Sequence, residues 1–219
     1  MGLLAGVVGW TFSLFLPALV VGGLALGLLL LLTGLHHTDG LLDFGDAVMF
    51  HGSRERKIEI MHDQLTGAGA IGLGLMTYVV SAFAFAEVAR YSFLGLTSGM
   101  LIPGLVLVEL SAKLAMVVAT RAGNPVHKGM NSPFMDAMHG KGGNARLTAA
   151  LAVSFGVAVP LFWFVNVFVG VIVLLATVLV GLVMVGVAHR HFGGVTGDVL
   201  GATNELARLV SVLVLLAML

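Results

Sequence analysis

His36-His37-Thr38-Asp39-Gly40-Leu41-Leu42-Asp43-Phe44-Gly45-Asp46-Ala47-Val48-Met49-Phe50, continued by HGSRERKIEIMHD over 51–63, interrupts a chain that is otherwise a succession of long apolar runs. The segment brings Asp39, Asp43, Asp46 and Asp63 into one short polar island. As a helix it sets Asp39, Asp43 and Asp46 at i, i+4 and i+7, so that three carboxylates share one stripe. Like charges so placed repel, and ionisable groups at a membrane boundary are costly unless they serve a function. A hard divalent cation relieves the repulsion, and oxygen-only donors favour magnesium or calcium over zinc. Magnesium held by a few carboxylates keeps positions open for water and phosphate, which points to phosphate chemistry at a membrane surface.

Composition sets the frame for that island. Of 219 residues, 58% are hydrophobic and only 10% charged, with no net charge. The mean hydropathy is +1.06, and soluble domains carry about 25% charged residues. The expected fold is therefore all-α, a polytopic transmembrane bundle forming a single integral-membrane domain over 1–219. Nucleic-acid binding has no support in this charge distribution. The absence of cysteine excludes disulfides, thiolate metal sites and cysteine nucleophiles.

A span needs about 20 apolar residues, which predicts about six, over 8–35, 68–89, 94–119, 147–166, 168–188 and 203–219. The first run lacks a basic leader and a cleavage signal, and it reads as a retained span, tilted or kinked at Pro17. Pro160 and Asn166 divide the long run beyond Leu147 into two helices joined by a tight turn. The polar islands then fall at 36–67, 120–146 and 189–204, all on one side. They hold Arg54, Arg56, Lys57, Arg121, Lys128, Lys141, Arg146 and Arg190, against Arg90 on the other side. The positive-inside rule makes the shared face cytoplasmic. Small residues such as Gly67, Gly69, Gly72 and Gly74 permit close helix packing, and self-association with it.

Further candidates lie outside the first island. Asp63 reads either as a metal ligand or as a cap for the next span. The sequence assigns no general base; a carboxylate not fully occupied by metal could take the proton, with Asp46 as a candidate. Glu109 and Lys113, at i and i+4 inside a span, either neutralise one another or turn the ammonium toward a polar cavity. The basic loop over 121–130, with Lys128, suits an anionic phosphate, and positive-inside topology accounts for its charges equally well. The last island, Gly193–Glu205, enters a helix with Asp198 and Glu205 at i and i+7, and Asn204 stands beside them. His36, His37 and His62 suit headgroup or phosphate contacts better than zinc, because adjacent helical residues diverge.

DGLLDFGDA, KIEIMHD with Gly67 soon after, and GGVTGDVLGATNE together resemble the cobalamin synthase family, the adenosylcobinamide-GDP ribazoletransferases, in order and spacing over nearly the whole chain. The resemblance implies transfer of the phosphocobinamide part of adenosylcobinamide-GDP to α-ribazole or its 5'-phosphate, with release of GMP. It also implies Mg2+ as cofactor, corrinoid nucleotide and ribazole as partners within the lipid bilayer, and a late place in cobalamin biosynthesis. Carried onto this sequence, Asp39, Asp43, Asp46 and Asp63 are the catalytic and metal residues, and Lys57, Lys113, Lys128, Asp198, Asn204 and Glu205 the substrate-binding ones. Two departures stand out. Asp63 is followed by Gln64-Leu65-Thr66 in place of a Ser-and-basic pattern, and Lys113 occupies a position where relatives often carry arginine. A CDP-alcohol phosphotransferase-like enzyme and a divalent-cation transporter are the alternative readings. The first would carry Ala-Arg after its Asp-Gly pair, where Leu42-Asp43 occupies that region in this chain, and the second would place polar residues near the bilayer midplane.

Overall fold

The computed structural model describes residues 1–93, 100–126, 132–163 and 165–219. Its ten helices are α1 (Gly2–Ser13), α2 (Ala18–Leu32), α3 (His36–Met49), α4 (Arg54–Met61), α5 (Ala68–Phe93), α6 (Leu101–Ala122), α7 (Ser132–His139), α8 (Gly143–Leu161), α9 (Val167–Phe192) and α10 (Gly197–Met218). Five of them, α5, α6, α8, α9 and α10, are long and apolar enough to cross a bilayer, and α2 with α3 forms a bent sixth candidate. The protein is thus an all-α, multi-pass membrane bundle.

The first expected span, 8–35, does not form one helix. Pro17 lacks an amide hydrogen and sits as the N-cap of α2 in an extended conformation (φ −58, ψ 145), so the chain breaks between Ser13 and Ala18. The result is two short helices, α1 and α2, packed on one another and on α6 and α5 respectively. The division near Pro160 holds. α8 ends at Leu161, and the Asn166 side chain starts α9 by accepting the Phe168 N–H at 3.0 Å. Toward the C-terminus, α10 begins at Gly197 rather than 203, because Thr196 caps it by accepting the Val199 N–H at 3.2 Å.

After α2 the backbone takes two successive left-handed residues, Gly34 (φ 61) and Leu35 (φ 60). The chain thereby turns by 95° into α3. This helix is the most one-sided of the segments around the first island. Gly40, Leu41, Phe44, Gly45 and Ala47 are buried against the bundle, while Asp39 and Met49 are exposed and Asp43 and Asp46 half-buried. The core beneath it, built on Leu41, Phe44, Ala47, Met61, Phe192 and Val199, joins α3, α4, α9 and α10.

The three polar islands meet at one end of the bundle. Arg54 Nε donates to the Arg190 carbonyl at 3.3 Å. The Val195 N–H donates to the Asn124 carbonyl at 2.7 Å, and Arg121 Nη2 donates to Asn144 Oδ1 at 2.6 Å.

Candidate functional site

Asp39, Asp43 and Asp46 from α3, Asp63 from the segment after α4, and Asp198 from the first turn of α10 line a single cavity of about 400 Å³ at this end. His62, Gln64 and Thr66 complete its polar wall. The sequence grouped the first four as metal residues and expected Asp198 among the substrate contacts of the same cavity, and the five line one cavity together.

Two close helix crossings make the cavity. At the first, a Cβ added to Gly40 would stand 2.9 Å from the Asp198 Cα and carbonyl oxygen. Only a bare α-carbon therefore lets α3 lie against the start of α10 and bring Asp198 beside the stripe. At the second, a Cβ on Gly45 would stand 2.9 Å from the Gly69 carbonyl oxygen, and one on Gly69 2.6 Å from that of Gly45. This contact brings the N-terminus of α5 under Asp46. Asp46 Oδ2 accepts the Gly67 N–H at 2.6 Å and Oδ1 accepts the Ala70 N–H at 2.8 Å, capping α5. Asp63 shapes its own loop, with Oδ1 accepting the Leu65 N–H at 3.2 Å. Thr196, besides capping α10, donates its hydroxyl to Met61 Sδ at 3.3 Å and ties α4 to the same corner.

The electrostatics follow from this crowding. Asp43 stands at the middle of the stripe on α3, outside the five long spanning helices, and its pKa is pushed up to about 7. Burial is the largest cause, followed by the charges of Asp39, Asp198 and Asp46. A site that resists holding its own negative charges is one that a cation stabilises. Among the described residues no three His, Asp or Glu side chains converge into a ready-made metal cage. The donors lining the open cavity are nonetheless mostly carboxylate oxygens, with His62 the single imidazole among them. That set fits magnesium, which is held by one or two carboxylates and completes its octahedron with water and phosphate. It does not fit zinc, which takes four close ligands rich in nitrogen or sulfur.

The remaining predicted contacts lie elsewhere. Lys57 is buried, with Nζ 2.8 Å from His191 Nδ1 and donating to the Val48 carbonyl at 3.4 Å. It clamps α3, α4 and α9 together and is not part of the cavity wall. Lys113 does not pair with Glu109 along the helix. Its Nζ donates to Asn204 Oδ1 at 2.7 Å. Asn204 Nδ2 donates to Glu205 Oε1 at 3.0 Å, Glu205 Oε2 takes a short hydrogen bond from Arg208 Nη1, and Arg208 Nε donates to Glu109 Oε1 at 2.6 Å. A polar chain thus runs between α6 and α10 inside the bundle. Arg208 is the residue the sequence reading missed. An arginine three residues after Glu205 within an apolar span is the signal that would have found it. The His37 backbone packs against Gly201 of α10, and the residue is half-buried. Burial, then the charges of Lys113, Arg208 and His36, push its pKa down to about 4. Lys128 lies outside the described residues.

Comparison with known proteins follows the same lines. The profile of CobS, cobalamin-5-phosphate synthase, matches residues 1–216. An adenosylcobinamide-GDP ribazoletransferase of Methanocella arvoryzae is 34% identical over 221 residues, covering 96% of this chain and 79% of that protein. Its namesake in Halorubrum lacusprofundi is 33% identical over 207 residues, covering 91% and 77%. That of Thermococcus kodakarensis is 33% identical over 175 residues, covering 80% and 68%. No solved structure matches. With a match across nearly its whole length and an aspartate-lined cavity built from the same motifs, the chain belongs to the cobalamin-5-phosphate synthase family.

Proposed function

We propose that this protein is a magnesium-dependent adenosylcobinamide-GDP ribazoletransferase, with Asp39, Asp43, Asp63 and Asp198 available to the metal and the donor pyrophosphate. The observation that carries the reading is the gathering of five aspartates from three separate segments around one open cavity. Five carboxylates with no lysine or arginine in the wall, and only His62 as a base beside them, do not bind a pyrophosphate unaided. A bound magnesium ion supplies the missing positive charge, neutralising the phosphate oxygens and the departing GMP.

The reaction forms one P–O bond, from a ribazole hydroxyl to the phosphorus that carries cobinamide, and breaks the P–O bond to GMP. The hydroxyl proton passes to a carboxylate. Asp46, offered by the sequence as that base, has both oxygens engaged by the Gly67 and Ala70 N–H groups. Its work is to hold α5 against α3, and proton transfer falls to Asp39 or Asp43, whose oxygens face the cavity. The polar chain from Lys113 to Glu109 fixes α10, and Asp198 with it. Arg54, Arg121, Lys141, Arg146 and Arg190 cluster at the cavity end, while Arg90 stands at the other, which supports a cytoplasmic active face. Water-soluble corrinoid nucleotides reach it from there.

Protein in lipid nanodiscs, stripped with EDTA and resupplied with Mg2+, should release GMP only when adenosylcobinamide-GDP and ribazole are both present. Release of CMP from CDP-diacylglycerol plus an alcohol, without GMP release, would replace this reading by the lipid-enzyme alternative.

A further inference from the structure

Beside the aspartate cavity, and sharing Asp46, Asp63, Leu65 and Thr66 with it, lies a second hollow of about 370 Å³. Its distal wall is Met49, Phe50 and Ile60. Leu65 is 80% exposed, Met49 62% and Phe50 39%. The Phe50 ring lies over Gly52, where an added Cβ would stand 2.5 Å from it.

An apolar rim on a membrane protein is ordinarily lipid contact. Here helix geometry argues otherwise. Met49 is i+3 from Asp46 on α3, and the two line this hollow together with Asp63. What faces Met49 also faces those two carboxylates, and that is water and substrate. Few groups in this hollow can read a polar base edge. Both Asp46 oxygens are taken by the Gly67 and Ala70 N–H groups, and Asp63 Oδ1 by that of Leu65. Ligand pockets have this form, with apolar walls over about 300–1,000 Å³ and polar groups at one margin.

Resting on the transferase reading, we infer that this hollow seats the base of the acceptor nucleoside, with the base against Phe50, Met49 and Leu65 and the ribose at the shared margin by Asp46 and Asp63. Such walls select a flat, apolar bicyclic base by shape and contact. They discriminate against purines, whose ring nitrogens and exocyclic amine would be stripped of water without replacement partners.

The test uses steady-state GMP release in nanodiscs with Phe50→Ala and, as a variant in an exposed loop that folding does not depend on, Leu65→Ser. The expected result for either is a KM for ribazole raised about tenfold, the scale of one lost apolar contact region. The KM for adenosylcobinamide-GDP should not change, and the preference for ribazole over an adenine nucleoside acceptor should shrink by a similar factor. Calorimetric binding of ribazole alone should weaken in step. If the wild-type protein turns over but the donor KM rises instead, or ribazole KM and binding stay put, the acceptor assignment is overturned. Loss of vesicle association with unchanged KM values would overturn it in favour of lipid contact. A wild-type protein that releases no GMP yet binds ribazole in a Phe50-dependent way would sink the transferase reading and leave the seat standing. No GMP release and no ribazole binding would remove both.

Discussion

Arg208→Met is the most informative perturbation of the bundle. The Arg208 side chain is fully buried, and it bonds both Glu109 on α6 and Glu205 one turn before it on α10. Its removal leaves two carboxylates inside the bundle without the guanidinium that bonds them, and Glu109 Oε2 already has no hydrogen-bond partner. Breaking a buried ion pair from one side costs about 3–5 kcal/mol. Two orphaned carboxylates do not double this, because either escapes part of the cost by taking up a proton. The expected loss is therefore about 3–5 kcal/mol, a large part of a typical folding free energy of about 5–15 kcal/mol. Removing the two carboxylates together with the guanidinium is different, since apolar replacement of a buried ion triad is often neutral, and Lys113 keeps its bond to Asn204. Glu205 Oε1 also accepts from Asn204 Nδ2, so the compensated variant keeps that acceptor: Glu109→Leu, Glu205→Gln, Arg208→Met. Reversible unfolding in detergent micelles, followed by circular dichroism, should show the single variant strongly destabilised and the triple variant recovering at least half of the loss. A single variant within about 1 kcal/mol of wild type, or a triple variant worse than the single, would refute the view that Arg208 holds two mutually repelling carboxylates.

Three further outcomes are expected. Asp39→Asn and Asp43→Asn should insert and fold normally yet lower GMP release by orders of magnitude, and near-normal release at limiting Mg2+ would remove them from the metal site. Gly40→Val forces a side chain onto the Asp198 backbone. It should cost about 1–3 kcal/mol and most of the activity, whereas Gly23→Ala on α2, with open space around it, should leave turnover intact; equal effects would discount the crossing. Single cysteines at His51, Lys141 and Gly197, all exposed at the cavity end, should react with an impermeant maleimide in inverted vesicles and not in intact cells, and any one of opposite sidedness breaks the shared active face.

What could be read from the sequence follows the range of the interactions concerned. The carboxylate stripe of α3 was legible because i, i+4, i+7 spacing is a property of one helix, and the long spans because length and apolarity are local. Pro17 announced a break, but whether it kinks one helix or separates two depends on how α1 and α2 pack on α6 and α5. Asp198 could not be added to the stripe from sequence, because its approach depends on Gly40 meeting a backbone 158 residues later, as the numbering shows. The i, i+4 pairing of Glu109 with Lys113 was the reasonable local choice, and Arg208 on another helix displaced it. Lys57, within a basic run, was expected among the substrate contacts. Only the arrival of His191 and the Val48 carbonyl turns it inward.

The right-angle bend at Gly34 and Leu35 has a consequence for the size of molecule this protein can handle. A straight continuation of α2 would have carried the fourteen residues of α3 about 21 Å out of the bundle. Bent instead, α3 turns back along α5, with Gly45 against Gly69 and the Tyr78 hydroxyl bonded to Thr38, and its aspartates line a cavity at the end of the bundle. A substrate that meets an open cavity at the bundle's end need not be narrower than the gaps between helices. A macrocycle too wide to thread into the bundle can remain in water, with only its pyrophosphate tail reaching the carboxylates. The bulk of the donor is thereby uncoupled from the packing of the membrane core, and the enclosed space needs to fit only the atoms that react.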